Sequence, residues 1–361
     1  MAVAAAMVLA APAATAEIRI GLGAVLSGDV SWIGEQHEFG VHRAVADING
    51  RGGLLGQTVS LIALDDACQG EQGAAVAEQL VDENVVFVSG HTCSGASLAA
   101  APIYEAAGIL MISPSSTNPA LTEAGWSYVF RVTGRDDEQG RVAGDLLADR
   151  WADRNIAIVH DSLAYGQRLA EETQRQLVER GIEPVLFEGF TAGQVDFGDL
   201  LDRLEAAAVD VLYAGSYHVD ASLILKQASQ RGLELQLVGG DAFAGEDFLL
   251  FTGEDGVGTV FTFGPDARDH PMAADVVRAF RDEEGFEPVG YTLHSYATVQ
   301  VWAAAVEAAG TTEAAAVAEA LRSNTFDTVL GSLGFDEKGD VIGIEGYVWY
   351  VWGDGQHARL E

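Results

Sequence analysis

Lysine is almost missing: two residues in 361, against eighteen arginines and 54 acidic side chains, for a formal net charge of -34. A surface of that sign repels phosphate, which excludes nucleic acid and anionic membranes as partners. The excess of carboxylate suits either a high-salt habitat, where self-repulsion is screened, or ordinary acidic solubility. Cysteine is nearly absent too. Cys68 and Cys93 have no paired Cys/His spacing for zinc, and the eight histidines fall outside any HExxH or CxxC setting, so no metal is expected. Signatures of catalysis are also lacking. There is no phosphate-binding P-loop and no G-x-S-x-G, and GLGAVLSG is only a partial G-x-G-x-x-G. No cofactor is expected, and a dinucleotide-binding α/β enzyme stands only as the weaker alternative.

Long apolar runs are confined to the first sixteen residues, MAVAAAMVLAAPAATA, which end in Ala14-Thr15-Ala16. Too short to span a bilayer, this stretch reads as a secretory signal cleaved before Glu17. No Lys or Arg precedes the run, which points to a start further upstream. The mature chain is expected to be soluble and exported. An exported protein with two cysteines usually forms one disulfide, and the alternative is two free buried thiols.

What the chain does contain is alternation. EIRIGLGAVL leads to HEFGVHRAVADING, VSLIALDD to GAAVAEQLVDE, VVFVSG to ASLAAAPIYEAAG, and ILMIS to NPALTEAG. Short β-rich runs followed by helical periodicity imply a parallel sheet, and Gly52, Gly53 and Gly108 stand where helix C-caps belong. After YVFRVTG the pattern restarts, from DEQGRVAGDLLADRW to LELQLVGG. Three later helices follow one another without strands, and the tail, ending in GYVWYVW, is strand-rich. Those helices need a sheet to cover and the tail strands need neighbours. The economical solution is two lobes, with the chain crossing between them near 131–135, 263–266 and 335–342. The expected division is 17–135 with 265–340 for the first lobe, and 136–264 with 341–361 for the second.

Strand ends are where such sheets bind ligands, against helix N-termini that favour an anion. ILMIS is followed by Ser115, Ser116 and Thr117, then Asn118-Pro119, and the preceding unit has Ser94 and Ser97 at the matching turn. These hydroxyls line the place where a ligand carboxylate would dock, although a capping box needs the same residues and no ligand. Cys68 follows a strand one βα unit before Cys93, so both thiols should emerge on one edge of neighbouring strands, where a bridge is geometrically reasonable. In the second unit, Tyr165, Tyr217 and Asp241 each follow a strand.

The stretch SGHTCSGASLAAAPIYEAAGILMISPSSTNPALTEAG, together with VADINGRGGLLG, LDDAC, FRVTGRDDEQG, IAIVHDSLAYGQ, FTAGQVDF and FDEKGD, resembles the leucine/isoleucine/valine-binding proteins of bacterial ABC transporters. The similarity is colinear over nearly the whole mature chain. It implies a type I periplasmic-binding-protein fold: two doubly wound parallel-sheet lobes joined by three crossing strands, holding a branched-chain or other aliphatic L-amino acid and delivering it to membrane permease subunits. The same fold also serves amino-acid-sensing receptors. By this resemblance Ser94 and Thr117 hold the carboxylate, Ser115 contributes backbone to both ends of the amino acid, and Tyr165 and Tyr217 close over it. Tyr291 matches an aromatic at the pocket edge.

The chain departs from the family pattern at several positions. Asp241 stands where the ammonium-binding acid is usually glutamate. Trp32 is displaced by one residue from the expected first-loop aromatic, where it serves as a cleft wall. Thr92 replaces a leucine and Ser115 and Ser116 replace alanines, which implies a more polar pocket.

Overall fold

The structure, a computed structural model, describes residues 17–360, so the expected signal segment lies outside the described residues. Strand β1 (Glu17–Ala24) alternates exposed and buried side chains at its start and is buried thereafter, as a central strand covered on both faces must be. It lies between β2 (Thr58–Asp65) and β3 (Phe87–Gly90), and the sheet continues through β4 (Leu110–Ser113) to β5 (Val129–Arg131). All four pairings are parallel. The connections are α1 (Ser31–Gly50), α2 (Gly70–Asp82), α3 (Ser94–Ala107) and the single turn α4 (Ala120–Glu123). Gly108 caps α3 in the left-handed conformation, at φ +67°, as its position predicts.

The second sheet is built from α5 (Asp136–Trp151), β6 (Ile156–His160), α6 (Ala164–Glu179), β7 (Leu186–Gly189), α7 (Gly198–Ala206), β8 (Val211–Gly215), α8 (His218–Gln230), β9 (Gln236–Gly239), α9 (Asp247–Thr252) and β10 (Val260–Phe263). Three later helices, α10 (Ala274–Ala279), α11 (Thr292–Ala309) and α12 (Ala314–Ser323), follow. Helix α11 packs on α1 and β3 of the first sheet, where the Trp302 ring stacks on Phe87 at 4.7 Å. A small antiparallel sheet of β11 (Phe326–Thr328), β12 (Gly331–Phe335) and β13 (Val341–Ile342) belongs to the same core. The tail then rejoins the second sheet: β14 (Val348–Trp352) pairs antiparallel with β10, and β15 (His357–Arg359) pairs with β14.

The chain thus passes between the sheets three times, at 132–135, 264–266 and 343–347. The third passage follows Val341 and Ile342, because both still pair with β12. Each sheet has its own core, and Ile33 of α1 is packed into the core of the second sheet, so the two lobes touch. No described helix is long and apolar enough to cross a membrane.

Two glycines set up the first-sheet strand ends. A Cβ on Gly23 would lie 2.5 Å from the His91 ring, and one on Gly90, which has φ +138°, would lie 2.3 Å from the Gly23 carbonyl oxygen. Only glycine lets the ends of β1 and β3 approach this closely.

Candidate functional site

Beyond β3 the chain turns through His91, Thr92 and Cys93 into α3. His91 is wholly buried between Asp66, 2.7 Å from Nδ1, and the Tyr104 hydroxyl, 3.1 Å from Nε2. Cys93 is bridged to Cys68 with their Cα atoms 5.3 Å apart, which ties this turn to the end of β2.

The neighbouring turn after β4 carries the three hydroxyls. Ser115 Oγ donates to the Thr92 carbonyl at 2.8 Å. Ser116 Oγ reaches the His91 and Thr92 carbonyls at 3.1 and 3.3 Å and the Ser97 hydroxyl at 2.6 Å. Two of the three hydroxyls therefore fasten one strand-end turn to the next. Thr117 differs: its buried Oγ1 has no partner on the neighbouring turns and lies beside the Asp136 carboxylate, without completing a hydrogen bond of ordinary geometry. Asn118 lies just ahead of α4, with Oδ1 accepting from the Ala120 N–H at 2.9 Å, while its Nδ2 donates across the lobes to the Ala164 carbonyl at 2.6 Å. Ser94 opens α3, with Oγ 3.4 Å from the Asn118 nitrogen.

Arg131, at the end of β5 and fully buried, organises this turn from below. It donates to the Ser116 and Asn118 carbonyls at 2.9 and 3.0 Å and to Thr122 Oγ1 at 2.6 Å, and pairs with Asp340 at 2.7 Å. The hydroxyl of Thr92 is also committed, to the Val25 N–H at 3.3 Å and to His37 Nδ1 at 3.0 Å. Burial pushes His37 down to about 3, so this imidazole is neutral at any physiological pH.

Across the cleft, Tyr165 lies in the first turn of α6, Tyr217 directly precedes α8, and Asp241 lies two residues beyond β9. The buried Asp241 carboxylate accepts hydrogen bonds from Tyr165 Oη and Gln139 Nε2, each at 2.8 Å, and from the hydroxyl of Tyr291. Burial pushes its pKa up, against the opposing pull of those three donors. Tyr291 stands at the start of α11, so a residue anchored on the first lobe already holds a second-lobe acid. The Tyr217 ring lies 5.2 Å from that of Tyr165 and also packs on Val25, Cys93 and Ala96 of the first lobe. Trp32, in the first turn of α1, lies against Gly245: a Cβ there would come within 3.0 Å of its ring.

Ser94, Thr117, Tyr165, Tyr217, Asp241, Tyr291 and Trp32 are therefore brought to the interlobe cleft, whereas Thr92, Ser115 and Ser116 turn their hydroxyls into the protein. Sequence reasoning missed Gln139 and Asp136. Both sit in the first turn of α5, three residues apart and thus on one face, within a run of acids that reads as an ordinary solvated helix start. A separate cavity of about 500 Å³ lies between the crossing segments, lined by Thr133, Gly264, His294 and Tyr347 among others, and shares only Tyr291 with the candidate set. Among the described residues, no group of three or more His, Cys, Asp or Glu is arranged to hold a metal ion.

Two open α/β lobes whose strand ends converge polar and aromatic side chains on one cleft make a protein that encloses a small solute. The chain belongs to the periplasmic binding protein family, whose model matches residues 17–355. This is a class of binding proteins rather than enzymes, and membership implies a periplasmic location. It is 41% identical over 347 residues to the Leu/Ile/Val-binding protein homolog 1 of Brucella melitensis, covering 96% of this chain and 93% of that protein. It is 37% identical to the leucine-, isoleucine-, valine-, threonine- and alanine-binding protein of Pseudomonas aeruginosa, covering 93% and 90%. Among solved structures, the substrate-binding protein LivJ of Streptococcus pneumoniae in complex with isoleucine superposes with a TM-score of 0.83, at 25% identity, over 96% of this chain and all of the other.

Proposed function

We propose that this chain is the solute receptor of an ABC-type uptake system, taking one aliphatic L-amino acid between its lobes and handing it to membrane permease subunits. Leucine, isoleucine and valine lead the candidates, by analogy with the relatives. The observation that carries the reading is the buried Asp241 carboxylate, held on the second lobe opposite Ser94 and the hydroxyl of Thr117. An acid on one lobe and hydroxyls beside a helix N-terminus on the other are complementary to the ammonium and carboxylate of a zwitterion. Trp32, Tyr165, Tyr217 and Tyr291 supply the walls.

The polar departures from the family pattern do not argue against an aliphatic side chain. Thr92, Ser115 and Ser116 spend their hydroxyls on His37 and on backbone groups, and so offer the ligand little polarity. Export, removal of residues 1–16 and a monomeric state complete the proposal. Calorimetry on refolded, ligand-stripped protein against all twenty amino acids is the test: heat is expected with the aliphatic set, and none with any amino acid would remove the reading.

A further inference from the structure

Resting on the amino-acid reading, we propose that Asp136 is a second acid of the ligand site: its carboxylate, buried beside Thr117 and Asp241 where the lobes meet, shares the ligand's ammonium with Asp241. Asp136 opens α5, and its backbone N–H donates to the Thr117 carbonyl at 2.9 Å, which places it directly behind the Thr117 hydroxyl. It has no exposed surface, and its carboxylate meets only the Thr117 hydroxyl, too loosely to complete a hydrogen bond of ordinary geometry.

An acid in a first helical turn ordinarily caps free N–H groups or offsets the helix dipole at the surface. Its neighbour Asp137 does this, accepting from the Glu138 N–H at 3.1 Å. Asp136 caps nothing. The nearby cation is also committed elsewhere, since the Arg131 guanidinium is directed at two carbonyls, at Thr122 and at Asp340. A buried carboxylate with one loose hydroxyl contact and no directly paired counter-charge costs several kcal/mol if ionised, so it must be neutral or await a cation.

The groups around Asp136 are Asp241 and Asp137, which oppose its charge, Arg131 and the Thr117 hydroxyl, which favour it, and the neutral hydroxyls of Tyr165, Tyr213, Tyr217 and Tyr347. Burial first, then the charge of Asp241, push its pKa well above the usual carboxylate range. The ligand-free site thus holds a proton on Asp136. When the ammonium arrives, that proton passes to the buffer and the carboxylate so formed accepts N–H bonds from the ligand. A primary ammonium has enough N–H groups to serve both acids. An analogue carrying a hydroxyl in place of the ammonium brings no charge and a single O–H, which serves one acid at most.

The test compares wild type with Asp136→Asn, using L-leucine and L-2-hydroxy-4-methylpentanoate as probes in calorimetry. Wild type should prefer the amino acid strongly, and Asp136→Asn should narrow that preference by roughly tenfold to a hundredfold, the range for a hydrogen bond to a charged group. A merely structural role would weaken both ligands alike. The affinity of wild type for L-leucine should also fall as pH is lowered from about 8 to about 5, with a flatter profile in the variant. The melting temperature of ligand-free Asp136→Asn should match or exceed that of wild type, because an unsatisfied acid has been removed. An unchanged preference and an unchanged pH profile, with wild type still binding L-leucine, would overturn this inference alone. Wild type binding no amino acid would overturn both it and the function on which it rests.

Discussion

Asp241 is the acid on which the proposed zwitterion site depends most directly. Tyr165, Gln139 and Tyr291 hold its carboxylate in place. Asp241→Asn keeps the shape but removes the better-held of the two acids that face the ligand ammonium, and losing one partner of a buried pair costs about 3 to 5 kcal/mol. Affinity for L-leucine should drop at least about a hundredfold by calorimetry, and an unchanged affinity would mean the ammonium is held elsewhere. A second residue-scale expectation concerns Asp161, buried at the end of β6, with Oδ1 accepting from the Leu163 N–H at 2.9 Å and Oδ2 unpartnered among the described residues. Burial pushes this carboxyl up to about 7. A carboxyl whose folded pKa is raised contributes stability that is fully present below its unfolded value and is lost as pH rises through the folded one. The melting temperature of ligand-free wild type should therefore fall as pH rises from about 5 to about 8, and that of Asp161→Asn should fall less. Parallel curves for the two proteins would sink the assignment.

Among the elements, the turns after β2, β3 and β4 behave as one assembly. The Cys68–Cys93 bridge joins the first two, and the Ser115 and Ser116 hydroxyls join the second to the third. The bridge closes a loop with a sequence separation of 25, and a loop of that size contributes about 3 to 4 kcal/mol in the chain-entropy account. Denaturant midpoints with and without reductant should differ accordingly, and ligand affinity should weaken on reduction because the Ser94 turn loses its anchor. Identical midpoints would show that the hydrogen bonds and Arg131 alone hold the turn. Arg131 makes the same point from beneath: one buried guanidinium bonds the 116–122 segment to Asp340, just ahead of β13, so the turn's position is set by groups far away in the chain.

For the molecule as a whole, the described state has its lobes in contact. Asn118 bonds to Ala164, Tyr217 packs on Cys93, and Trp32 lies against Gly245. Only three short passages connect the lobes covalently, so the lobes can part at the hinge. A ligand that touches Ser94 and Thr117 on one lobe and Asp241 on the other stabilises the closed form by that differential contact. The radius of gyration from small-angle scattering should shrink when ligand-free protein is saturated with L-leucine. A constant value would favour a cleft that is permanently closed or one that binds through a single lobe.

Much of this was legible in the residues. Alternating β-rich and helical periods announced two parallel sheets, strandless late helices and a strand-rich tail required the chain to return between lobes, and neighbouring strand ends made the Cys68–Cys93 bridge reasonable. Those features depend on local periodicity and on chain order, which a linear sequence carries. The choice among hydroxyls was not legible. Whether Ser115, Ser116 or Thr117 stays free depends on where the His91 and Thr92 carbonyls lie, and those belong to another strand end. Nor did an acid-rich helix start reveal that Asp136 and Gln139 point inward, because the same run reads alike in water and in a cleft. Burial and hydrogen-bond partnership are properties of packed surfaces from distant segments, and so only the assembled lobes could decide them.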